Sequence, residues 1–211
     1  MDDNTRKLIE LATVPVRSKS MKPGEGGQGV YIGNHFVLTA AHCLDFDTHS
    51  GNALGGYNIY YIDRPEGDPI WCSPVFIDPC SDLAVIGACD DQVIPERFFE
   101  FQRFFRDIAP IRIRRDPLPP GEPIHCEIRS HLGSWISGRM TQEYCEPFAF
   151  LEADENILGG TSGGPIVDDD GNIIAIVSTG GGMGEETTEA RNSVPSLWLP
   201  PWLLEEVSSD D

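Results

Sequence analysis

The most informative stretch of this sequence reads Gly159-Gly160-Thr161-Ser162-Gly163-Gly164-Pro165, and the apolar residues Ile166 and Val167 follow it. It places one serine among four glycines just before a predicted strand. Glycine lets the backbone turn sharply and lets another molecule come close to exposed N–H groups. The stretch therefore suits a nucleophile of acyl transfer, although glycine-rich loops beside hairpins are also common in proteins without such chemistry.

The order of residues along the chain separates the rival catalytic arrangements. The stretch also satisfies G-x-S-x-G, the nucleophile elbow of α/β-hydrolases, in which the histidine follows the serine. Here every histidine precedes Ser162, namely His35, His42, His49, His125 and His131. The subtilisin order of aspartate, histidine and serine would have to use Asp2 or Asp3, close to the N-terminus. The order that remains is histidine, aspartate, serine.

Two earlier segments offer a base and an acid for this order. Leu38-Thr39-Ala40-Ala41-His42-Cys43 ends a predicted strand in small residues, which would let the imidazole of His42 stand in a cleft. Ser81-Asp82-Leu83-Ala84-Val85-Ile86 places Asp82 at the head of an apolar run. A buried carboxylate needs a hydrogen-bond partner, which an imidazole N–H would supply. Asp78 is a rival acid, but it precedes a proline and no apolar run comes directly after it, so we favour Asp82.

Taken together, these segments resemble those of the trypsin-like (chymotrypsin-fold) serine peptidases, in particular the compact bacterial members. The resemblance covers roughly Val14 to Trp198 and rests on L-T-A-A-H-C, S-D-L-A-V-I and G-G-T-S-G-G-P, which occur in the family's order. It implies that Ser162 is the nucleophile and His42 the general base and later the acid. It also implies that Asp82 holds the imidazole in the right tautomer.

The resemblance also assigns the rest of the site. The N–H groups of Gly160 and Ser162 would form the oxyanion hole of an acyl-enzyme mechanism that needs no cofactor. The substrate pocket would be lined by Asn156, Ile157, Val177, Ser178, Thr179 and Gly180. None of these carries a charge, so we expect the pocket to take a small or medium apolar side chain.

Thr161 stands where zymogen-type members of the family carry an aspartate. An N-terminal ammonium inserted beside a hydroxyl alone would lose its hydration without gaining a counter-ion. We therefore expect the oxyanion loop to become ordered without proteolytic processing. Glycine-rich backbone hydrogen bonds, or a bound partner or substrate, would order it instead.

Composition and turn signals favour an all-β fold. The 211 residues include 22 glycines and 17 prolines, which is typical of many short strands joined by turns. Gly33-Asn34 and Asp170-Gly171 each separate two apolar runs and predict hairpins. With the resemblance, these patterns predict two six-stranded antiparallel β-barrels with the active site between them and a short C-terminal helix.

The predicted organisation has four parts. An N-terminal barrel over 12–92 carries His42 and Asp82, and a connector covers 93–116. A C-terminal barrel over 117–195 carries Ser162, and 196–211 form a helix and tail. Further helices are predicted at about Asn4 to Leu11 and in the connector from Ile94 to Ile108, where apolar residues recur at helical spacing.

Charge and hydropathy limit the expected partners and location. The formal net charge of −19 argues against general nucleic-acid binding, which needs a cationic surface. We expect no membrane contact, because no apolar run reaches the roughly 18 residues of a spanning helix. The N-terminal residues lack the pattern of a secretory signal, so we expect a cytoplasmic protein. In that setting the six cysteines are expected to be free thiols, and their spacing indicates no metal site.

Two classes of function fit these observations. The favoured one is a serine endopeptidase that acts on protein or peptide substrates, with a regulatory protein partner to restrain it. The alternative is a catalytically weak binding module or subunit of the same fold. It draws on the acidic composition and on the basic residues Arg112, Arg114 and Arg115 that end the connector.

Overall fold

The first six strands of the chain close into an antiparallel β-barrel. They are β1 (Thr13–Ser18), β2 (Gly27–Gly33), β3 (Phe36–Ala40), β4 (Tyr60–Ile62), β5 (Ile70–Asp78) and β6 (Leu83–Ala88). The structure is a computed structural model and describes residues 1–45, 59–142, 148–178, 192–195, 197 and 199–208. The order around the barrel is β1-β2-β3-β6-β5-β4, and the pairing of β4 with β1 closes it.

Six later strands form a second antiparallel sheet. They are β7 (Ile124–Arg129), β8 (Trp135–Gln142), β9 (Phe148–Ala153), β10 (Pro165–Val167), β11 (Ile173–Ile176) and β12 (Asn192–Pro195). Their order is β11-β10-β7-β8-β9-β12. The sheet is curled, since β11 and β12 lie at its two ends and still contact each other. The prediction of two six-stranded antiparallel units is confirmed, with the second as a curled half-barrel in the described residues.

In the described residues three α-helices accompany the strands, each in a place where the sequence predicts a helix. α1 (Asp3–Ala12) begins after Asp2, whose carboxylate accepts a hydrogen bond of 2.8 Å from the Thr5 N–H. α2 (Pro95–Phe105) and α3 (Pro201–Ser208) both begin with proline, whose missing N–H costs nothing in a first turn. Within the described residues, no helix is long and apolar enough to cross a membrane.

The two predicted hairpins are also present. Asn34 and His35 join β2 to β3 with φ angles of 46° and 66°, and two consecutive positive values are those of a type I′ turn. Gly171 joins β10 to β11 with a φ of 82°, in the left-handed region that favours glycine. These local turns set the registers of their strands.

Two apolar cores hold the fold together. The larger one fills the first barrel and extends to residues of all three helices, among them Phe101 of α2 and Leu203 of α3. The smaller one lies in the second sheet and includes Ile128 and Leu151. Val167 of the second sheet belongs to the larger core, so the two halves of the molecule pack against each other.

Candidate active site

Pairing between β3 and β6 brings His42 and Asp82 to the same edge of the first barrel. Ala40, the last residue of β3, lies opposite Leu83, the first residue of β6. His42 follows β3 in a short 3₁₀ helix, and Asp82 precedes β6 directly. The segment around His42 therefore ends the strand β3, as predicted, and Asp82 directly precedes an apolar strand.

The carboxylate of Asp82 contacts His42 twice. Its Oδ2 lies 2.8 Å from the ring Nδ1, and its Oδ1 accepts a hydrogen bond of 2.9 Å from the His42 backbone N–H. The Asp82 backbone has a φ of 55°, which is uncommon for a residue with a side chain. Its carbonyl accepts a hydrogen bond of 3.1 Å from the Ala41 N–H, which supports this conformation. The pair is thus held through both side chain and backbone.

Ser178 completes the surroundings of Asp82. Its hydroxyl donates to Asp82 Oδ2, although the two residues are 96 positions apart. The resemblance predicts Ser178 as a residue of the substrate pocket, and no pattern in the sequence indicates this contact with Asp82. The sequence allows only a general expectation. A buried carboxylate has more lone pairs than a single imidazole N–H can satisfy, so Asp82 needs a further donor.

These contacts set the charges of the pair. Burial alone would raise the pKa of Asp82, but hydrogen bonds from the His42 ring, the Ser178 hydroxyl and the His42 N–H outweigh it and lower the pKa. For His42, burial has the opposite effect and would lower the pKa. The hydrogen bonds to Asp82 and Cys43, together with the negative charge of the Asp82 carboxylate, oppose it more strongly and raise that pKa to about 10. The pair therefore favours a carboxylate beside an imidazolium.

Asp78, the rival acid, has a different environment. Its carboxylate accepts hydrogen bonds from the Cys80 N–H at 3.0 Å and from the Ser81 hydroxyl at 2.6 Å. Both contacts close the turn that leads into Asp82. This arrangement supports the preference for Asp82.

The loop that carries Ser162 is anchored on both halves of the molecule. The Gly163 N–H donates to the Val177 carbonyl at 2.7 Å, and the Val177 N–H donates to the Gly164 carbonyl at 2.9 Å. On the other side, the Ser162 carbonyl accepts a hydrogen bond of 2.6 Å from the Gln28 N–H of β2. The proposed nucleophile therefore sits at the junction between the first barrel and the second sheet.

Gly27 brings this junction close to His42. A Cβ at position 27 would lie 2.4 Å from Cys43 Sγ and 2.4 Å from the Ser162 carbonyl oxygen. Only glycine allows the three segments to approach this closely. The backbone of Ser162 thus lies beside the residue that follows His42 in the chain.

The ring nitrogen Nε2 of His42 lies 3.7 Å from Cys43 Sγ. The roles of His42 and Ser162 as base and nucleophile stay predictions.

The backbone around Gly160 forms a tight turn. Gly160 has a φ of 90°, and the Thr161 N–H donates to the Leu158 carbonyl at 3.2 Å. Among the described residues, no acceptor is hydrogen-bonded to the N–H of Gly160 or of Ser162. Their roles as oxyanion donors stay predictions.

The predicted pocket is described only in part. Ile157 packs against the second core, to which the buried Val177 belongs, while Asn156 is exposed. Thr179 and Gly180 lie outside the described residues. The apolar character expected of the pocket stays a prediction.

The remaining sequence features have ordinary structural surroundings. Cys43, Cys72, Cys80, Cys89 and Cys126 are free thiols, and Cys145 lies outside the described residues. In the basic stretch, Arg114 forms an ion pair of 3.3 Å with Asp168. The described residues contain no cluster of side chains suited to a metal ion.

Solved structures of similar fold come from bacterial proteases. The Rv3671c protease in its inactive form has a TM-score of 0.56 and 18% identity, covering 92% of this chain and 88% of that one. The active form of this protease, from M. tuberculosis, has a TM-score of 0.55 and 19% identity, covering 92% of this chain and 79% of that one. A serine endoprotease from Yersinia pestis has a TM-score of 0.59 and 18% identity, covering 98% of this chain and 67% of that one. At these identities the likeness shows a shared fold.

The amino-acid sequence gives a family assignment that the shared fold alone does not give. No curated protein sequence matches the chain significantly. The model of the trypsin-like peptidase domain matches residues 27–176, which include all three segments around His42, Asp82 and Ser162. Because this match spans most of the chain and agrees with the fold, the chain belongs to the trypsin-like peptidase domain family.

Proposed function

We propose that this protein is a serine endopeptidase that hydrolyses peptide bonds of protein or peptide substrates. The main support is the contact of 2.8 Å between His42 Nδ1 and Asp82 Oδ2. The chain also belongs to a family of peptidases, and the anchored loop of Ser162 lies next to this pair. A carboxylate on Nδ1 selects the tautomer in which Nε2 carries the lone pair. That is the form in which an imidazole can remove a proton from a serine hydroxyl.

The reaction begins when Ser162 Oγ attacks the carbonyl carbon of the scissile bond. His42 Nε2 takes the hydroxyl proton, and Asp82 stabilises the resulting imidazolium. The N–H groups of Gly160 and Ser162 bind the oxyanion of the tetrahedral intermediate. His42 then gives the proton to the leaving amine as the C–N bond breaks, which leaves an acyl group on Ser162.

The second half repeats these steps with water. His42 removes a proton from a water molecule, which attacks the acyl carbonyl, and the oxyanion forms again in the same place. Collapse of the intermediate releases the carboxylic acid product and returns the proton to Ser162. The residues of the chain thus supply every proton transfer, and the proposal needs no cofactor.

For specificity, we propose that the pocket accepts a small or medium apolar side chain before the scissile bond. Two observations support this. Ile157 packs on the same core as Val177, and none of the six predicted pocket residues carries a charge. A peptide library should show cleavage after such residues. Efficient cleavage after Lys or Arg, with apolar residues refused, would contradict it.

The proposed function is tested by labelling with a fluorophosphonate probe, which reacts with activated serines. Wild type should be labelled and Ser162→Ala should not. Ser162→Ala and His42→Ala should each lower kcat by about six orders of magnitude, and the double variant should be hardly worse, because the residues act as a unit. A folded wild type that resists labelling would favour the binding-module alternative.

The choice of acid is tested in the same assay. Asp82→Asn should lower kcat by about four orders of magnitude, because an amide favours the wrong imidazole tautomer. Asp78→Asn is the matched control, since Asp78 only closes the preceding turn. If Asp78→Asn had the larger effect, the assignment of Asp82 would be wrong.

A further inference from the structure

We infer that His131 is a positioning residue that orders the oxyanion loop, residues 158–163, through the hydroxyl of Thr161. The inference rests on the proposed function, which gives the loop its catalytic role. His131 lies in the turn between β7 and β8, 30 positions before Thr161. The sequence alone suggests backbone hydrogen bonds, a partner or a substrate as the source of order in this loop, and it does not point to a side chain.

His131 contacts the Thr161 side chain through two atoms. Its backbone N–H donates to Thr161 Oγ1 at 3.3 Å, and its ring Nδ1 lies 3.2 Å from the same oxygen. Thr161 is fully buried, so its hydroxyl has no access to water as an alternative partner. A buried hydroxyl that lost these contacts would be left unsatisfied, which would favour a different loop conformation.

The imidazole of His131 also packs directly against Gly160. A Cβ at Gly160 would lie 3.3 Å from the ring Cγ, 3.4 Å from Cδ2 and 3.6 Å from Nδ1. The ring therefore borders the residue whose N–H is the predicted oxyanion donor. Gly160 has a φ of 90°, and the adjacent ring and the hydrogen-bonded Thr161 together restrict the conformations open to it.

The turn that carries His131 is itself well supported. The Ser130 N–H donates to the Ser134 carbonyl at 2.9 Å, and the two hydroxyls lie 2.8 Å apart. The indole N–H of the next residue, Trp135, donates to Glu10 of α1 at 3.1 Å. His131 therefore lies in a tight hairpin turn that is hydrogen-bonded to α1. A positioning residue requires such a rigid support.

The arrangement explains how the loop could be ordered without a buried charge at Thr161. Hydrogen bonds between His131 and the Thr161 hydroxyl would take the place of an ion pair, so no ammonium needs to be desolvated. The residue acts through Thr161 and Gly160 and makes no contact with the substrate in this scheme. Its loss should lower kcat more than it changes KM.

A double-mutant cycle tests the inference. His131→Ala and Thr161→Val should each lower kcat by roughly 10-fold to 100-fold, somewhat less than removal of an entire oxyanion donor, which costs about 10²–10³. The double variant should resemble Thr161→Val, because Thr161→Val already breaks the ring contact that His131→Ala removes. Losses that multiply, or a loss expressed only in KM, would overturn the inference.

Rescue and control variants separate positioning from general stability. His131→Asn places an amide near the position of Nδ1 and should restore most of the kcat, whereas His131→Ala should not. Leu132→Ala is the matched control, because Leu132 lies in the same turn with 69% of its surface exposed. All variants should melt close to wild type. Equal activity of His131→Ala and Leu132→Ala would contradict the inference.

Hydrogen–deuterium exchange provides a readout that does not need turnover. The segment over residues 158–164 should exchange faster in His131→Ala than in wild type or Leu132→Ala, because the loop loses its support. If wild type resisted the fluorophosphonate probe, the proposed function would fail, and this exchange would still decide whether His131 orders the loop. Unchanged exchange in His131→Ala would refute the inference even in an active enzyme.

Discussion

At the scale of single residues, His42 has polar neighbours on both ring nitrogens. Asp82 contacts Nδ1 at 2.8 Å, and the thiol of Cys43 lies 3.7 Å from Nε2. Burial lowers the pKa of His42, yet hydrogen bonds to these two neighbours and the charge of the Asp82 carboxylate raise it overall to about 10. A general base must be unprotonated to accept a proton. The value of kcat/KM, which reports the free enzyme, should therefore increase as the pH rises above neutral.

This balance predicts an effect of Cys43→Ala on the pH profile. Without the thiol, the pKa of His42 loses one of the contributions that raise it, so the neutral base should appear at lower pH. The rise of kcat/KM, measured from about pH 6 to about pH 10, should therefore shift towards acid, since this profile reports the free enzyme. Cys80→Ala, which changes an exposed thiol, is the control. Identical profiles for all three proteins would show that Cys43 does not influence the base.

At the scale of elements, α2 is part of the first barrel's core as well as a connector. Phe101 is fully buried in the larger core, and its ring centroid lies 4.7 Å from that of Phe105. Phe105 in turn stacks on Tyr31 of β2 at 4.2 Å. The helix therefore packs on β2 through Phe105, and it also contacts β5 and β6.

Phe101→Ala should consequently destabilise the protein by about 3–5 kcal/mol, the usual cost of removing a buried aromatic ring. Phe99→Ala is a matched change on the same helix, and with 54% of Phe99 exposed it should stay within about 0.5 kcal/mol of wild type. Denaturant unfolding measures both free energies. Similar values for the two variants would mean that α2 is not packed as described.

At the scale of the whole molecule, β1 closes the first barrel. Val16 is 1% exposed and lies opposite Gly27 of β2 and Ile62 of β4. A new N-terminus at this point could move to Thr161 only if β1 left both neighbours. Barrel closure therefore opposes activation by N-terminal insertion, independently of the missing charge at Thr161.

We therefore expect the uncut chain to be active. Protein with Met1 present should react with the fluorophosphonate probe, and its mass should increase only by that of the label. The mass is measured before and after labelling. The expectation would be wrong if labelling required a cut near Val14 to Val16 and the new terminus were protected from acetylation.

Local patterns were sufficient to predict much of this protein. The hairpin turns at Asn34 and Gly171 and the three helices follow from residues that are neighbours in the chain. The segments around His42, Asp82 and Ser162 were recognisable because each combines a polar residue with its own strand or glycine loop. In these cases the physical cause lies within a few residues, so the sequence alone was enough.

Contacts between distant segments were decided only by the tertiary structure. Ser178 donates to Asp82 across 96 positions, and His131 reaches Thr161 across 30. Likewise, β4 closes the first barrel on β1, whereas the second sheet remains a curled half-barrel. Such contacts depend on strand register and on how the two halves pack, and a one-residue shift would turn each side chain to the opposite face. No local pattern contains that information, because it arises only when separate strands have come together.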